Sequence, residues 1–180
     1  PVAWRLFSNN GLETLGQGPL LEQLIACEPE TPDPIEPGRF VKSLFRPSEK
    51  VQRMGLHAPV FEDDGDAHWG AVWLEADREA DPRRPSKDFG YEVAQVNHYA
   101  VRSIDAFLIK RDRGRANHVG DDLGFAYWKR WCRGGAKDST ILRHLPAIRA
   151  EIARLIEDPV TAALHRGATE FHRKRLTELL

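Results

Sequence analysis

Gln95-Val96-Asn97-His98-Tyr99-Ala100-Val101-Arg102-Ser103-Ile104-Asp105-Ala106-Phe107-Leu108-Ile109-Lys110-Arg111-Asp112-Arg113-Gly114-Arg115 is the stretch from which the fold is read. A strand over Glu92 to Tyr99 delivers Asn97, His98 and Tyr99 at its C-terminal edge, and the chain then turns into a helix. The helical pattern runs from Arg102 to Arg113, with Val101, Ile104 and Leu108 on its buried side. A strand feeding a helix is the building unit of open α/β sheets, and ligands bind at the carboxyl edge of such strands. The start of the helix offers N–H groups and a partial positive charge to an anion. At about 100° per residue, Arg102, Ala106, Lys110 and Arg113 share one side of the helix, with Ser103 beside them. Three cations on one stripe suit a phosphate dianion. The plain alternative is an amphipathic helix with a solvated basic face.

Outward from this stretch the texture changes. Residues 1–95 are broken by Gly and Pro and carry short apolar runs of strand length: Val2 to Phe7, Phe40 to Phe45 and His68 to Leu74. Leu20 to Cys27 has the spacing of a short helix, Glu28 to Gly38 reads as an extended connector, and Asp77 to Asp88 as a charged loop. Phe125 to Arg133 is aromatic and basic. A long helix is expected from Ser139, where Ile141, Leu142, Leu145, Ile148, Ile152 and Leu155 repeat every three or four residues and Pro146 should kink it. Asp158 and Pro159 suit the cap and first position of a last helix packing through Ala163, Leu164, Ala168, Phe171 and Leu176.

Bulk properties narrow the function classes. With 180 residues the chain suits one sizeable domain, and 41% hydrophobic with 29% charged residues is ordinary globular composition. A formal net charge of -1 argues against bulk attraction to nucleic acid or an anionic membrane. No apolar run is long enough to span a bilayer, and no leader pattern is visible. Cys27 and Cys132 lack metal-type spacing and read as free thiols, so a cytoplasmic protein is expected. The opening Pro1-Val2-Ala3-Trp4-Arg5-Leu6-Phe7 reads as a chain joined in mid-strand, which is the expectation for a truncated product.

Three segments carry a family resemblance. Asn97-His98-Tyr99, Arg102-Ser103, Phe107, Lys110 and Arg113-Gly114 resemble the spaced signature that closes the catalytic region of a bacterial family 2-type glycosyltransferase group. Trp4-Arg5-Leu6-Phe7-Ser8-Asn9-Asn10-Gly11 resembles the same family's Trp-x-x-Phe-Gly-x-x-Gly segment, with Ser8 where Gly is usual. Lys42-Ser43-Leu44-Phe45-Arg46-Pro47 followed by His57-Ala58-Pro59 is similar to its third block. The three lie in the family's order over residues 1–118.

The resemblance implies an α/β fold. Residues 1–120 would be the C-terminal part of a GT-A-like, Rossmann-like catalytic domain, and residues 121–180 an α-helical C-terminal region. It implies transfer of a sugar from a nucleotide-sugar donor to a carbohydrate or glycan acceptor, aided by a divalent metal, Mn²⁺ or Mg²⁺. The family's Asp-x-Asp metal motif would lie upstream of residue 1; Asp64-Gly65-Asp66 falls out of order and reads as a surface turn. Carried over by position, His98 and His57 are the metal-ligand candidates, and Arg102, Lys110 and Arg113 the cations facing the leaving phosphate. Trp4, Asn10, Lys42, Asn97, Tyr99 and Ser103 are the substrate-binding candidates, and Glu13 is a guess at a general base. The rival readings are an anion- or nucleic-acid-binding module, using Arg102 to Arg115 with Trp128 to Arg133, and a non-catalytic helical interaction module.

Overall fold

The fold is that of a computed structural model, which describes residues 2–29, 41–47, 49–55, 58–61, 91, 93–115, 120 and 123–180. It is mixed α/β, with small sheets and helices. The expected strand at His68 to Leu74, the charged loop at Asp77 to Asp88, His57 and Asp64-Gly65-Asp66 lie outside the described residues. The chain divides into two compact units, each assembled from two segments: residues 1–6 with 28–98, and residues 7–27 with 99–180.

The first unit is built on β1 (Val2–Leu6), the middle strand of a three-stranded sheet. Its neighbours are β3 (Val41–Lys42), antiparallel with Val2 opposite Lys42, and β6 (Gln95–His98), parallel with Trp4 opposite Val96 and Leu6 opposite His98. Ala3, Trp4, Arg5 and Leu6 are all buried, as expected where a central strand is covered on both faces. Arg5 is the polar member of that run and is satisfied in place. Its Nε donates to the Glu28 carbonyl at 3.4 Å, its Nη1 to Gln95 Oε1 at 3.4 Å, and its guanidinium lies 4.8 Å from the Tyr91 ring centroid. A separate hairpin joins β4 (Val51–Met54) to β5 (Pro59–Phe61), with a register shift between Val51 and Arg53. Gly55 closes it: its N–H donates to the Ala58 carbonyl at 2.9 Å, and a Cβ there would sit 2.8 Å from that same oxygen.

In the second unit, the short helix α1 (Leu20–Gln23) leads to β2 (Ala26–Cys27), which pairs antiparallel with β7 (Ala136–Lys137). The core is Ala100, Val101, Phe107 and Leu123, with Tyr127, Trp128, Trp131 and Cys132 packed against it. Phe107 sits on α2 (Ile104–Arg113) and the aromatics on α3 (Phe125–Trp131), so the two helices meet through rings, Phe107 edge-on to Trp128 at 5.0 Å.

Several sequence expectations shift. The helix begins at Ile104, because Ser103 caps it in extended backbone and Arg102 takes a left-handed φ of 63°. Arg102 therefore leaves the cationic stripe, and Ile104 is exposed where burial was expected. Instead of kinking a long helix, Pro146 sits in the first turn of α4 (Leu145–Glu157), behind a 3₁₀ segment over Thr140–His144. There it costs no intrahelical hydrogen bond. The cap at Asp158 holds as read: its side chain accepts from Thr161 N at the start of α5 (Pro159–Leu179). The packing face of α5 is rotated from the expected one. Ala162, Thr169 and Leu176 are half-buried, whereas Ala163, Leu164, Ala168 and Phe171 are exposed.

Candidate functional site

In the first unit, strand alternation sorts the candidates onto two faces of the sheet. Trp4, Lys42 and His98 share one face. The Trp4 and His98 rings stack at 4.2 Å with 10° between planes, and the Lys42 ammonium lies 5.3 Å from the Trp4 centroid. Partial burial lowers the Lys42 pKa from its ordinary value. These three residues, widely spaced in sequence, thus form one cation–aromatic–imidazole cluster. Asn97 falls on the opposite face, where its Oδ1 accepts from Gln95 Nε2 at 2.7 Å.

That second face holds a polar network absent from the sequence reading. Buried Glu28 accepts the Leu6 N–H through Oε1 at 2.8 Å, and the Tyr91 hydroxyl lies 3.3 Å from the same oxygen and 3.2 Å from the Trp4 carbonyl. The one available signal was period-2 alternation, which places Arg5 beside Gln95 and Asn97 once the parallel register is known. Glu28 itself follows a strand in sequence and carries no such signal.

In the second unit, the turn after β1 is tight even though Ser8 stands where the resembling family has Gly. Ser8 Oγ accepts the Asn10 N–H at 3.1 Å, and the left-handed positions fall on Asn10 (φ 55°) and Gly11 (φ 74°) instead. Asn10 spends its side chain on the Gln23 carbonyl at 3.1 Å. Cys132 flanks this turn: its thiol donates to Asn9 Oδ1 at 3.5 Å and accepts the Asn9 N–H at 3.4 Å. Burial raises the Cys132 pKa, against a smaller lowering by that N–H.

The strand-to-helix segment is the best-defined part. Tyr99 packs its ring 4.7 Å from Phe7. The expectation of free N–H groups at the start of α2 is corrected here, because the donors of its first three residues are taken and the fourth makes the first intrahelical bond. Ile104 N donates to the Leu12 carbonyl, Asp105 N to the Glu13 carbonyl, Ala106 N to Ser103 Oγ and Phe107 N to the Ser103 carbonyl. Ser103 is buried, and its hydroxyl serves as the helix cap. The Glu13 carboxylate is given no base role by these contacts; it is the residue's carbonyl that is used.

Lys110 behaves differently from its neighbours on the helix. Helical side chains lean toward the N-terminus, and Lys110 follows that lean back to the turn. Its Nζ donates to the Ala100 carbonyl at 2.7 Å and to the Tyr127 hydroxyl at 2.8 Å, 4.8 Å from the Tyr127 centroid. Arg115 also lies over that ring, at 5.7 Å. Arg102 and Arg113 are exposed. The cations of α2 lie in its last turn, where they complement the negative end of the helix dipole.

A divalent ion needs several converging ligands. Among the described residues no group of three His, Cys, Asp or Glu side chains is placed to hold one, and of the two histidine candidates only His98 is described. These residues by themselves do not make a metal site, so no step is derived through a metal. Among the described residues, no helix is long and apolar enough to cross a membrane. Comparison with known proteins gives no match: no family model matches the chain, and neither does any curated protein or solved structure.

Proposed function

We propose that the chain is part of a family 2-type glycosyltransferase, acting in the cytoplasm on a nucleotide-sugar donor and a carbohydrate acceptor. The observation that carries this reading is the spaced match from Asn97 to Gly114. Asn97 and His98 end a parallel strand and Ser103 caps the helix that follows, the edge at which α/β enzymes bind ligands, whereas Lys110, Arg113 and Gly114 lie at the far end of that helix.

Sugar transfer breaks the bond between the anomeric carbon and the donor's diphosphate, and negative charge grows on the leaving oxygen. Preorganised positive charge aimed at that oxygen lowers the barrier. Arg102, exposed beside the turn, is the cation placed for it, and Arg113, exposed in the last turn of α2, lies at the other end of that helix. Lys110 acts by holding the turn through Ala100 and by adding its charge there. Lys42, half-buried over the Trp4 ring, suits a phosphate, and buried Trp4, stacked on His98, acts by supporting that lysine. Asn10 and Ser103 act through backbone shape, since their side chains are engaged in the turn and the cap. A GT-A-like domain remains the proposed architecture. The nucleic-acid alternative is weakened by α3, whose Tyr127, Trp128 and Trp131 pack against the core.

The test is binding of a panel of nucleotide-sugars by saturation-transfer NMR. Weaker binding in Lys42→Ala and in Arg102→Ala is the expected result. A folded chain that binds no donor of the panel overturns the proposal.

A further inference from the structure

Asn10–Gly11 is the one Asn–Gly pair in the chain; Asn9, Asn97 and Asn117 are followed by Asn10, His98 and His118. An asparagine side chain can be attacked by the main-chain nitrogen of the next residue. That nitrogen gives its proton to water, a bond forms to the side-chain Cγ, the Cγ–Nδ2 bond breaks, and ammonia leaves. Water then opens the resulting succinimide at either carbonyl, leaving aspartate or β-linked isoaspartate. Water is the sole co-reactant. A side chain on the following residue crowds the attack, and Gly has none.

The structure sets both the access and the restraint. Asn10 and Gly11 are exposed, and a Cβ on Gly11 would meet nothing within 4 Å, so the space beside the attacking nitrogen is open. Both residues are left-handed, with φ of 55° and 74°, and Leu12 N donates to the Asn9 carbonyl at 2.9 Å, the pattern of a type I′ turn. In left-handed backbone the Gly11 nitrogen lies on the far side of the Asn10 Cα–C bond from Cβ, the arrangement least suited to ring closure. Three more hydrogen bonds keep it there. Asn10 N donates to Ser8 Oγ at 3.1 Å, Asn10 Nδ2 to the Gln23 carbonyl at 3.1 Å, and Gly11 N to Asn9 Oδ1 at 3.3 Å. Ring closure therefore requires the turn to open. A turn held by exposed hydrogen bonds opens far more often than the whole fold.

The product does not refit the turn. A carboxylate at residue 10 has no donor for the Gln23 carbonyl, and the β-linked form adds a methylene to the main chain. The next two residues carry that change to α2, because Ile104 N donates to the Leu12 carbonyl at 3.2 Å and Asp105 N to the Glu13 carbonyl at 3.0 Å. These leading donors have no partner within their own helix.

We propose that Asn10 is a self-modification site: it converts to isoaspartate when its turn opens, and the conversion releases the first N–H groups of α2 from Leu12 and Glu13. The test is prolonged incubation of the 180-residue chain at neutral pH, with and without urea, followed by peptide mass mapping and isoaspartate-specific methyl labelling. Residue 10 is expected to convert ahead of every other asparagine, at least ~tenfold faster in urea than in the folded chain. Ser8→Ala, which removes the acceptor of the Asn10 N–H, should speed conversion in the folded chain and leave the rate in urea unchanged. The converted chain, separated by its added negative charge, should exchange the Ile104 and Asp105 amides with deuterium faster than the parent does. Equal rates with and without urea overturn the proposal. So does a folded chain that never converts, as parent or as Ser8→Ala, or a converted chain whose Ile104 and Asp105 amides exchange as slowly as the parent's.

Discussion

Lys110→Met tests whether the motif lysine holds the strand–helix turn. The substitution keeps the methylene stem and removes two charged hydrogen bonds, 2.7 Å to the Ala100 carbonyl and 2.8 Å to the Tyr127 hydroxyl. A hydrogen bond from a charged donor is worth about 1.5–3 kcal/mol, and a buried carbonyl left without its donor costs about 1–3 kcal/mol. The two bonds share one ammonium and are not additive, and relief of its desolvation and of the lysine's ordering offsets part of the loss. The net expectation is ~2 kcal/mol. For a chain of this size each kcal/mol moves Tm by about 2–4 °C, so Lys110→Met should melt roughly 4–8 °C below the parent. Thermal unfolding followed by circular dichroism reads this directly. Lys129→Met, on an exposed lysine of α3, serves as control and should move Tm by less than ~2 °C. If Lys110→Met melts within ~1 °C of the parent, the bonds to Ala100 and Tyr127 do not hold the turn. Any loss of turnover in that variant would then belong to chemistry alone.

The remaining expectations are smaller. Ser103→Ala removes a buried cap and should cost ~1 kcal/mol by urea denaturation, whereas Ser103→Asp should recover most of it. Asp112 is paired with Arg175 at 2.7 and 2.5 Å, and that partner lowers its pKa below the ordinary 3.8. A depressed carboxyl pKa stabilises the fold above the unfolded value and loses that contribution as pH falls through the folded value. The Tm gap between parent and Asp112→Asn should therefore close below about pH 3.8, and should also shrink in high salt. Cys132 should react with Ellman's reagent at pH 7 more slowly than free cysteine, because burial raises its pKa; rapid native reaction would contradict the Asn9 contact.

What was legible in the sequence was mainly local. The strand at Val2 and the helix toward Arg113 announce themselves by apolar spacing, and Asp158-Pro159 by cap chemistry. The hairpin over Val51–Phe61 was missed because its exposed strand, Gln52 to Met54, lacks an apolar face. The pairing of Ala26–Cys27 with Ala136–Lys137 was missed because two-residue strands have no periodicity to read. Phase on α5 was misread because both of its sides carry apolar residues, and the stripe with the larger side chains is the exposed one. For the site, the face shared by Trp4, Lys42 and His98 follows from alternation only after the strand order is known. The occupied start of α2 depends on the Leu12 and Glu13 carbonyls, about ninety residues away, and nothing in the motif signals it.

The position of β1 has a consequence for how the chain is made. Its parallel partner, β6, lies about ninety residues later, and β3 is no nearer than residue 41. At roughly 5–20 residues per second of synthesis, the nascent Val2–Leu6 segment waits on the order of 5–20 s before β6 exists. Through that interval the strand's hydrogen-bonding edge toward β6 stays open to other chains. Closure of so long a loop is slow, and the parallel pairing forms late. Yield of this protein in a cell is thus expected to depend on how well the Val2–Leu6 segment is sheltered until β6 has been made.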